Sequence, residues 1–238
     1  MGRAKGRPVP EPSPAQLAAA AVHDIWKYDR IHPQNPKQRE YMYSLLNNLI
    51  TVASAPPGCG KTLLPLYLGF ELLSKGKIEQ IIYTKPDVGM VGQRGRGYLP
   101  GSALEKAWPL IGPILDNLVV FMSRQTAIYH LEKKTIEVML LEDLRGRSLN
   151  NCMAIFDETQ NVTPADVKTI LTRTGQNCHM AICGDPNQCD TKTELRQSNG
   201  LADAMTRLKG LSQVGLIQFS REDIVRNGII PEILDRYE

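Results

Sequence analysis

The segment at residues 55–62 constrains the fold more than any other part of the sequence. It reads APPGCGKT, follows the apolar run LITVAS at residues 49–54 and precedes a stretch with helical spacing. Glycines between a strand and a helix let backbone N–H groups turn inward, and the helix N-terminus adds positive potential there. The segment therefore predicts a phosphate-binding loop inside a chain of alternating strands and helices.

Individual roles follow from the chemistry of this loop. Lys61 is suited to reach the β- and γ-phosphates of a nucleotide, and the Thr62 hydroxyl is suited to ligate Mg²⁺. Ala55 stands where the strict motif has glycine, which we interpret as a tolerated variant. The alternative is a strand-to-helix turn that binds no ligand. The residues predicted to bind nucleotide in this loop are Pro57, Gly58, Cys59, Gly60, Lys61 and Thr62.

A second apolar run, CMAIFDE at residues 152–158, ends in two carboxylates. In phosphoryl transfer one carboxylate can support the metal and another can polarise the attacking water. We therefore predict that Asp157 supports Mg²⁺ with Thr62, and that Glu158 activates water, which favours hydrolysis. The alternative is an acidic turn ahead of the helix that TPAD begins at residues 163–166.

A third apolar run, HMAICGDPNQ at residues 179–188, ends in Gly184-Asp185 with Gln188 three residues later. This resembles the GDxxQ motif of superfamily 1 helicases. The resemblance implies that Gln188 contacts the γ-phosphate and that Asp185 supports the network of metal and water. The alternative is a plain turn between a strand and a helix.

Apolar runs bounded by helical stretches are typical of a buried parallel sheet, so the chain is predicted to be a three-layer α/β protein. The stretch 128–141 is ambiguous, and TIEVMLL is its most strand-like part. Residues 1–34 are predicted to form an N-terminal extension, a basic mobile tail with one short helix. Residues 35–238 are predicted to form the core domain.

The segments APPGCGKT, YTKP, GYLPG, LRGRSLNN, IFDETQN, LTRTG, CGDPNQCD and FSREDIVRN, in this order, resemble the PhoH-like ATPase family. The resemblance covers about residues 35–238. It implies a RecA-like P-loop NTPase with a mainly parallel sheet, related to helicases, that uses ATP and Mg²⁺ in the cytoplasm. It also implies assembly into rings, with six members as one option. Some relatives add a nuclease domain, for which these 238 residues leave no room.

Gln38 has two competing interpretations. The family resemblance implies that it reads adenine, because superfamily 1 helicases place such a glutamine upstream of the phosphate loop. Residues 35–38, NPKQ, also form a helix-start signature in which Gln38 closes a capping box. One side-chain amide cannot easily contact adenine and close the capping box at the same time.

RNA or single-stranded nucleic acid is the predicted partner. Thr84 and Lys85 follow the second strand, where helicases contact nucleic acid. Residues 91–101, VGQRGRGYLPG, combine glycine, arginine and tyrosine in a pattern suited to single strands, and Arg145 and Arg147 add charge. The alternative is a solvated surface, because 28 basic and 25 acidic residues give a net charge of only +3 and exclude binding by bulk charge.

Hydrolysis of this type needs a cation on the charge that develops at the γ-phosphate. The 238 residues contain no second RecA-like domain to supply it. We therefore predict an arginine from a neighbouring subunit of a ring. Arg226 is the first candidate, followed by Arg221 and Arg173; the alternative for each is a surface ion pair.

Composition narrows the function classes further. No apolar run approaches 18 residues and no hydrophobic leader is present, so neither a membrane span nor a signal peptide is predicted. Five cysteines, an odd number, suggest the reducing cytoplasm. The leading prediction is Mg²⁺-dependent ATP hydrolysis coupled to nucleic acid. The alternative is an ATP-gated oligomeric binding module with little turnover.

Overall fold

Six parallel strands form one sheet, in the order β3-β2-β4-β5-β1-β6. The computed structural model describes residues 31–86, 103–189 and 199–225, together with residue 236. The strands are β1 (Ile50–Ser54), β2 (Gln80–Lys85), β3 (Ile136–Leu140), β4 (Cys152–Phe156), β5 (Cys178–Gly184) and β6 (Val214–Gln218). The helices are α1 (Pro36–Asn47), α2 (Leu63–Ser74), α3 (Ala103–Leu118), α4 (Arg124–Glu132), α5 (Pro164–Leu171) and α6 (Gly200–Arg207).

Helices cover both faces of this sheet. One hydrophobic cluster joins the strands to side chains of α1 to α4, including Tyr41 and Leu115. A separate cluster on the other face joins them to α5 and α6, including Val167 and Leu201. Strands covered on both faces are apolar throughout, and all five residues of β4 are buried. The prediction of a three-layer α/β fold with a parallel sheet is confirmed.

The strand order brings the three motif strands together. β5 pairs with β1 on one side, aligning Gly184 with Ser54, and with β4 on the other, aligning Ile182 with Phe156. A strand therefore separates the phosphate-loop strand from the acidic strand, which is the RecA-like arrangement. Because parallel strands share one carboxyl edge, the segments that follow β1, β4 and β5 lie side by side.

The helix starts predicted at residues 35–38 and 163–166 are both present, although only one of them has a capping box. Thr163 caps α5, and Asp166 returns the bond in a capping box. Asn35 caps α1, accepting from the Gln38 N–H at 2.7 Å. The Gln38 side chain does not close a box, however, because its Oε1 accepts from the N–H of Gln34 rather than of Asn35.

The ambiguous stretch 128–141 divides into the end of α4 and the strand β3. Lys134, at φ 57°, turns the chain in the left-handed conformation between them. Three predicted features lie outside the described residues: the N-terminal extension up to residue 30, the glycine-rich loop at 91–101, and Arg226.

Within the part of the chain that the structure describes, no helix is both long and apolar enough to cross a membrane.

Candidate nucleotide-binding site

The loop between β1 and α2 needs glycine at two positions. Gly58 and Gly60 have φ of 88° and 83°, in the left-handed region that L side chains rarely adopt. Ala55 does not have a positive φ, and its N–H donates to the Gly184 carbonyl at 3.0 Å. Ala55 therefore extends the ladder between β1 and β5, which explains why glycine is not required there.

Lys61 and Thr62 occupy the turn just before α2. The Lys61 ammonium lies 3.3 Å from the carbonyl oxygen of Ala55, at the start of the same loop. The Lys61 carbonyl accepts from the Tyr41 hydroxyl at 3.0 Å, which ties the loop to α1. The Thr62 hydroxyl donates to Asp157 Oδ2 at 2.8 Å. Thr62 and Asp157, the predicted metal-binding pair, are thus brought together.

The Asp157 carboxylate accepts from donors on four sides. Thr62 and the Tyr83 hydroxyl donate to Oδ2, the latter at 2.9 Å. The Glu158 N–H donates to Oδ1 at 3.0 Å, and the Cys183 thiol lies 3.5 Å from the same oxygen. Burial, and then the charge of Asp157, raise the pKa of Tyr83 well above its usual value. The phenol therefore remains a donor.

Tyr83 belongs to the site although the motif comparison singled out its neighbours. Thr84 is only 1% exposed, so the expectation that its side chain contacts nucleic acid is wrong for this structure. Lys85 is half-buried and lines the same cavity as the phosphate loop. The alternation of side chains along β2 could have indicated Tyr83, since it shares a face with Lys85.

Glu158 and Gln188 are joined through a residue without a predicted role. Gln160 Nε2 donates to Glu158 Oε2 at 2.6 Å and to the Gln188 carbonyl at 3.1 Å. Its Oε1 accepts from the Asp185 N–H at 3.1 Å. The acidic strand end and the segment after β5 are therefore one hydrogen-bonded unit.

A cavity of about 380 Å³ opens over these groups. Its size lies at the lower end of the range of about 300–1,000 Å³ for small-molecule sites. The wall at one end is formed by residues of the 31–38 segment and by Val225. The lining residues that bear on function are Gln38, Pro57, Gly58, Gly60, Lys61, Thr62, Tyr83, Lys85, Asp157, Glu158 and Gln188.

Gln38 belongs to that wall and is buried against the phosphate loop. Its Nε2 donates to the Cys59 carbonyl at 3.0 Å, while its Oε1 accepts from Gln34. Cys59 is itself fully buried, so its side chain anchors the loop and its predicted contact with nucleotide falls to the backbone. Adenine recognition by Gln38 stays a prediction, made by an amide that already holds two protein partners.

Two of the three candidate arginines, Arg221 and Arg173, are among the described residues, and they lie in different places. Val225, the residue before Arg226, donates its N–H to the Gly58 carbonyl at 3.1 Å. Arg221 lines a separate cavity of about 490 Å³ on the other side of the phosphate loop. Gln188 lines this cavity as well. Arg173 lies at the opposite, amino edge of the sheet, where its carbonyl accepts from the Leu149 N–H at 2.9 Å.

Only half of the predicted basic pair in LRGRSLNN is engaged in an ion pair: Arg145 is exposed, whereas Arg147 is paired with Glu137. Arg147 forms two hydrogen bonds with Glu137, at 3.1 and 2.9 Å, and the pair lies away from the nucleotide cavity. The guanidinium lowers the pKa of Glu137 through these bonds. Arg147 therefore stabilises the chain ahead of β4.

A glycine-rich loop between a buried strand and a helix, with a threonine–aspartate pair beside it, defines a P-loop nucleotide-binding protein. The family model described as "PhoH-like protein" matches residues 30–238, and the chain belongs to this family.

Curated relatives carry the same description. A PhoH-like protein of Bacillus subtilis is 34% identical over 201 residues, which cover 84% of this chain and 62% of that protein. Protein PhoH of Escherichia coli is 32% identical over 206 residues, covering 86% of this chain and 57% of its own. The chain thus spans about three fifths of the length of the curated relatives it matches.

A solved structure described as the Sulfolobus solfataricus SWI2/SNF2 ATPase core in complex with dsDNA aligns with 73% of this chain and 37% of its own. The sequence identity is 14% and the TM-score is 0.39.

Proposed function

We propose that the protein binds ATP with Mg²⁺ and hydrolyses it. The observation that carries this proposal is the contact between the Thr62 hydroxyl and the Asp157 carboxylate, at 2.8 Å and directly beside the phosphate loop. Both are hard oxygen ligands, and Mg²⁺ is usually held by one or two such side chains together with substrate phosphates. The residues present therefore fit the group.

The chain's own residues divide the work. Backbone N–H groups of the loop and the Lys61 ammonium hold the phosphates, and Thr62 with Asp157 would hold Mg²⁺. Bound there, the ion neutralises charge on the β- and γ-phosphates. Glu158, next to Asp157, accepts a proton from the attacking water. Gln188 lines the same cavity and orients the terminal phosphate.

Replacing the water-activating carboxylate tests hydrolysis directly. For Glu158→Gln we expect kcat to fall by about 100-fold or more, because general base catalysis contributes that much, while ATP affinity is retained. Glu40→Gln is the matched control, since Glu40 is exposed on α1 and pairs with Lys37. Negligible turnover in the wild type, unchanged by Glu158→Gln, would favour the ATP-gated binding module.

We also propose that hydrolysis is coupled to RNA or single-stranded nucleic acid. Support comes from the composition of residues 91–101 and from Lys85 at the carboxyl edge of the sheet. ATP turnover measured with and without RNA, at low and high salt, tests this. No stimulation at either salt concentration would contradict it.

A ring with an arginine supplied in trans completes the proposal. Among the described residues that line the nucleotide cavity there are two lysines, Lys61 and Lys85, and no arginine. A neighbouring subunit is the proposed source of that cation. A cytoplasmic setting is also proposed, because all five cysteines are buried free thiols.

A further inference from the structure

Gln160 uses both hydrogens and the oxygen of its side-chain amide in hydrogen bonds beside the site. It lies in the 3-10 turn Thr159–Asn161 and is fully buried. Its amide nitrogen has two hydrogens, and they point to Glu158 Oε2 and to the Gln188 carbonyl. The two segments that the amide joins follow different strands, β4 and β5.

The amide has only one favourable orientation. Turning it over would place Oε1 against the Glu158 carboxylate and the Gln188 carbonyl, and would face Nε2 with the Asp185 N–H. Like partial charges would then meet in a buried place, where an unmade hydrogen bond is costly. The position of Gln160 thus depends on where residues 185–188 lie.

The end of β5 is shaped to admit this amide. A Cβ atom at Gly184 would overlap Gln160 Oε1 and would approach the Thr159 nitrogen to 3.1 Å. Gly184 does not have a positive φ. The close approach of the glutamine, rather than backbone conformation, is therefore the reason for glycine at this position.

Glu158 is held from its backbone as well. It has φ 54°, in the left-handed region uncommon for residues with a side chain. Its N–H donates to Asp157 Oδ1, and its carbonyl accepts from the Asn161 N–H at 2.9 Å. With the backbone fixed, the direction of the carboxylate depends on its bond to Gln160.

We propose that Gln160 is a positioning residue that links residues 185–188 to the Glu158 carboxylate. A terminal phosphate that contacts Gln188 would move residues 185–188. The Gln160 amide, bonded to this segment, would move with it and orient the Glu158 carboxylate for proton transfer. This inference rests on the proposed ATP hydrolysis.

The variant Gln160→Glu tests the link at constant size. It keeps an acceptor for the Asp185 N–H, removes both donors and places a second carboxylate beside Glu158. We expect kcat to fall about 10-fold or more with ATP affinity within about twofold, because positioning affects only the transition state.

Two comparisons separate positioning from general damage. In a Glu158→Gln background, Gln160→Glu should cost little further activity, because residues that act through one another are not additive. Gln80→Glu is the matched control: its Nε2 donates to Glu137 Oε2 and to the Lys134 carbonyl, both at 2.9 Å, far from the cavity. It should leave kcat and ATP affinity unchanged.

The outcomes for function and for this inference are distinct. If the wild type shows no turnover that depends on Glu158, the proposed function fails, and the inference with it. If that turnover exists and Gln160→Glu leaves kcat unchanged, the inference alone is wrong. Should thermal melting show that Gln160→Glu does not fold, Gln160→Met replaces it. A wild-type kcat in Gln160→Met would equally overturn the link.

Discussion

At the scale of single residues, hydrogen bonds from several elements converge on one carboxylate of the site. Asp157 accepts hydrogen bonds from the loop before α2, from β2 and from its own turn, and the Cys183 thiol approaches from β5. A buried carboxylate needs such donors, because burying an unpaired charge costs several kcal/mol. Protein contacts therefore orient the carboxylate oxygens that are proposed to hold Mg²⁺.

Tyr83→Phe removes one of these donors without changing the packing volume. We expect the free energy of unfolding to fall by about 1 kcal/mol, the net value of such a hydrogen bond. The Mg²⁺ concentration that half-saturates ATP hydrolysis should rise, because Asp157 Oδ2 is less well oriented. Denaturant titration and a Mg²⁺ titration of ATPase activity measure these effects. Tyr43→Phe, at a tyrosine that is 69% exposed, is the control and should change neither.

Gly184→Ala tests the shape of the β5 end. The added methyl group would displace Gln160, and overpacking of this kind costs about 1–3 kcal/mol. We expect a lower melting temperature and a kcat reduced together with it. Gly112→Ala is the opposite control, because a Cβ at Gly112 in α3 meets nothing within 4 Å. Alanine should stabilise the protein there, and equal stability of the two variants would contradict the argument.

The sequence allowed prediction of those site residues whose roles follow from their own segment. Lys61, Thr62, Asp157 and Glu158 each follow an apolar strand with a recognisable pattern. Tyr83 and Gln160 act across strands, so their roles depend on which strands are neighbours and how far apart the turns lie. A single sequence does not give the distance between these turns, so the role of Gln160 is recognisable only in the structure, whereas the alternation along β2 offered an indirect sign of Tyr83.

At the scale of elements, the parallel sheet follows from apolar runs that alternate with helices. The boundaries were less predictable, as residues 128–141 illustrate. There a half-buried helix meets the edge strand β3, whose burial alternates in part. A strand exposed on one side has a weak apolar pattern, and only a left-handed turn at Lys134 separates the two elements.

The cap of α5 offers a test at this scale. Thr163 Oγ1 accepts from the Asp166 N–H at 3.2 Å, and Asp166 Oδ2 accepts from the Thr163 N–H at 3.1 Å. Thr163→Ala should cost about 1 kcal/mol, which lowers the melting temperature by roughly 2–4 °C for a chain of this size. Calorimetry measures this shift. Thr169→Ala, in the body of α5, where the hydroxyl only donates to the Ala165 carbonyl of the same helix, should leave the melting temperature nearly unchanged.

At the scale of the whole molecule, the two edges of the parallel sheet carry different sequence segments. The nucleotide cavity lies at the carboxyl edge of the sheet. At the amino edge, LRGRSLNN and LTRTG meet through a bridge between Leu149 and Thr174. A strand of seven residues separates the edges by roughly 20 Å. In a head-to-tail ring the surfaces in contact differ, so one edge of a subunit can face the opposite edge of its neighbour.

This geometry ranks the arginines that are proposed to act in trans. Arg221 lies beside the phosphate loop of its own subunit, and Arg226 lies outside the described residues. Arg173 is on the far edge, and its buried Nε has no hydrogen-bond partner among the described residues. A cation that crosses to the next subunit is more easily supplied from the far edge, whereas Arg226 remains the candidate favoured by sequence.

Mixing two inactive variants decides between them. Lys61→Ala subunits lack the phosphate-binding lysine but keep every arginine, and each arginine-to-alanine variant keeps Lys61. For the arginine that acts in trans, an equal mixture should recover about a quarter of wild-type ATPase activity. One interface in four pairs a subunit that keeps Lys61 with a neighbour, on the correct side, that keeps the arginine. An arginine that acts within its own subunit gives no recovery. The trans-arginine mechanism is wrong if Lys61→Ala, in a confirmed mixed oligomer, complements none of the three arginine variants, Arg173→Ala, Arg221→Ala and Arg226→Ala.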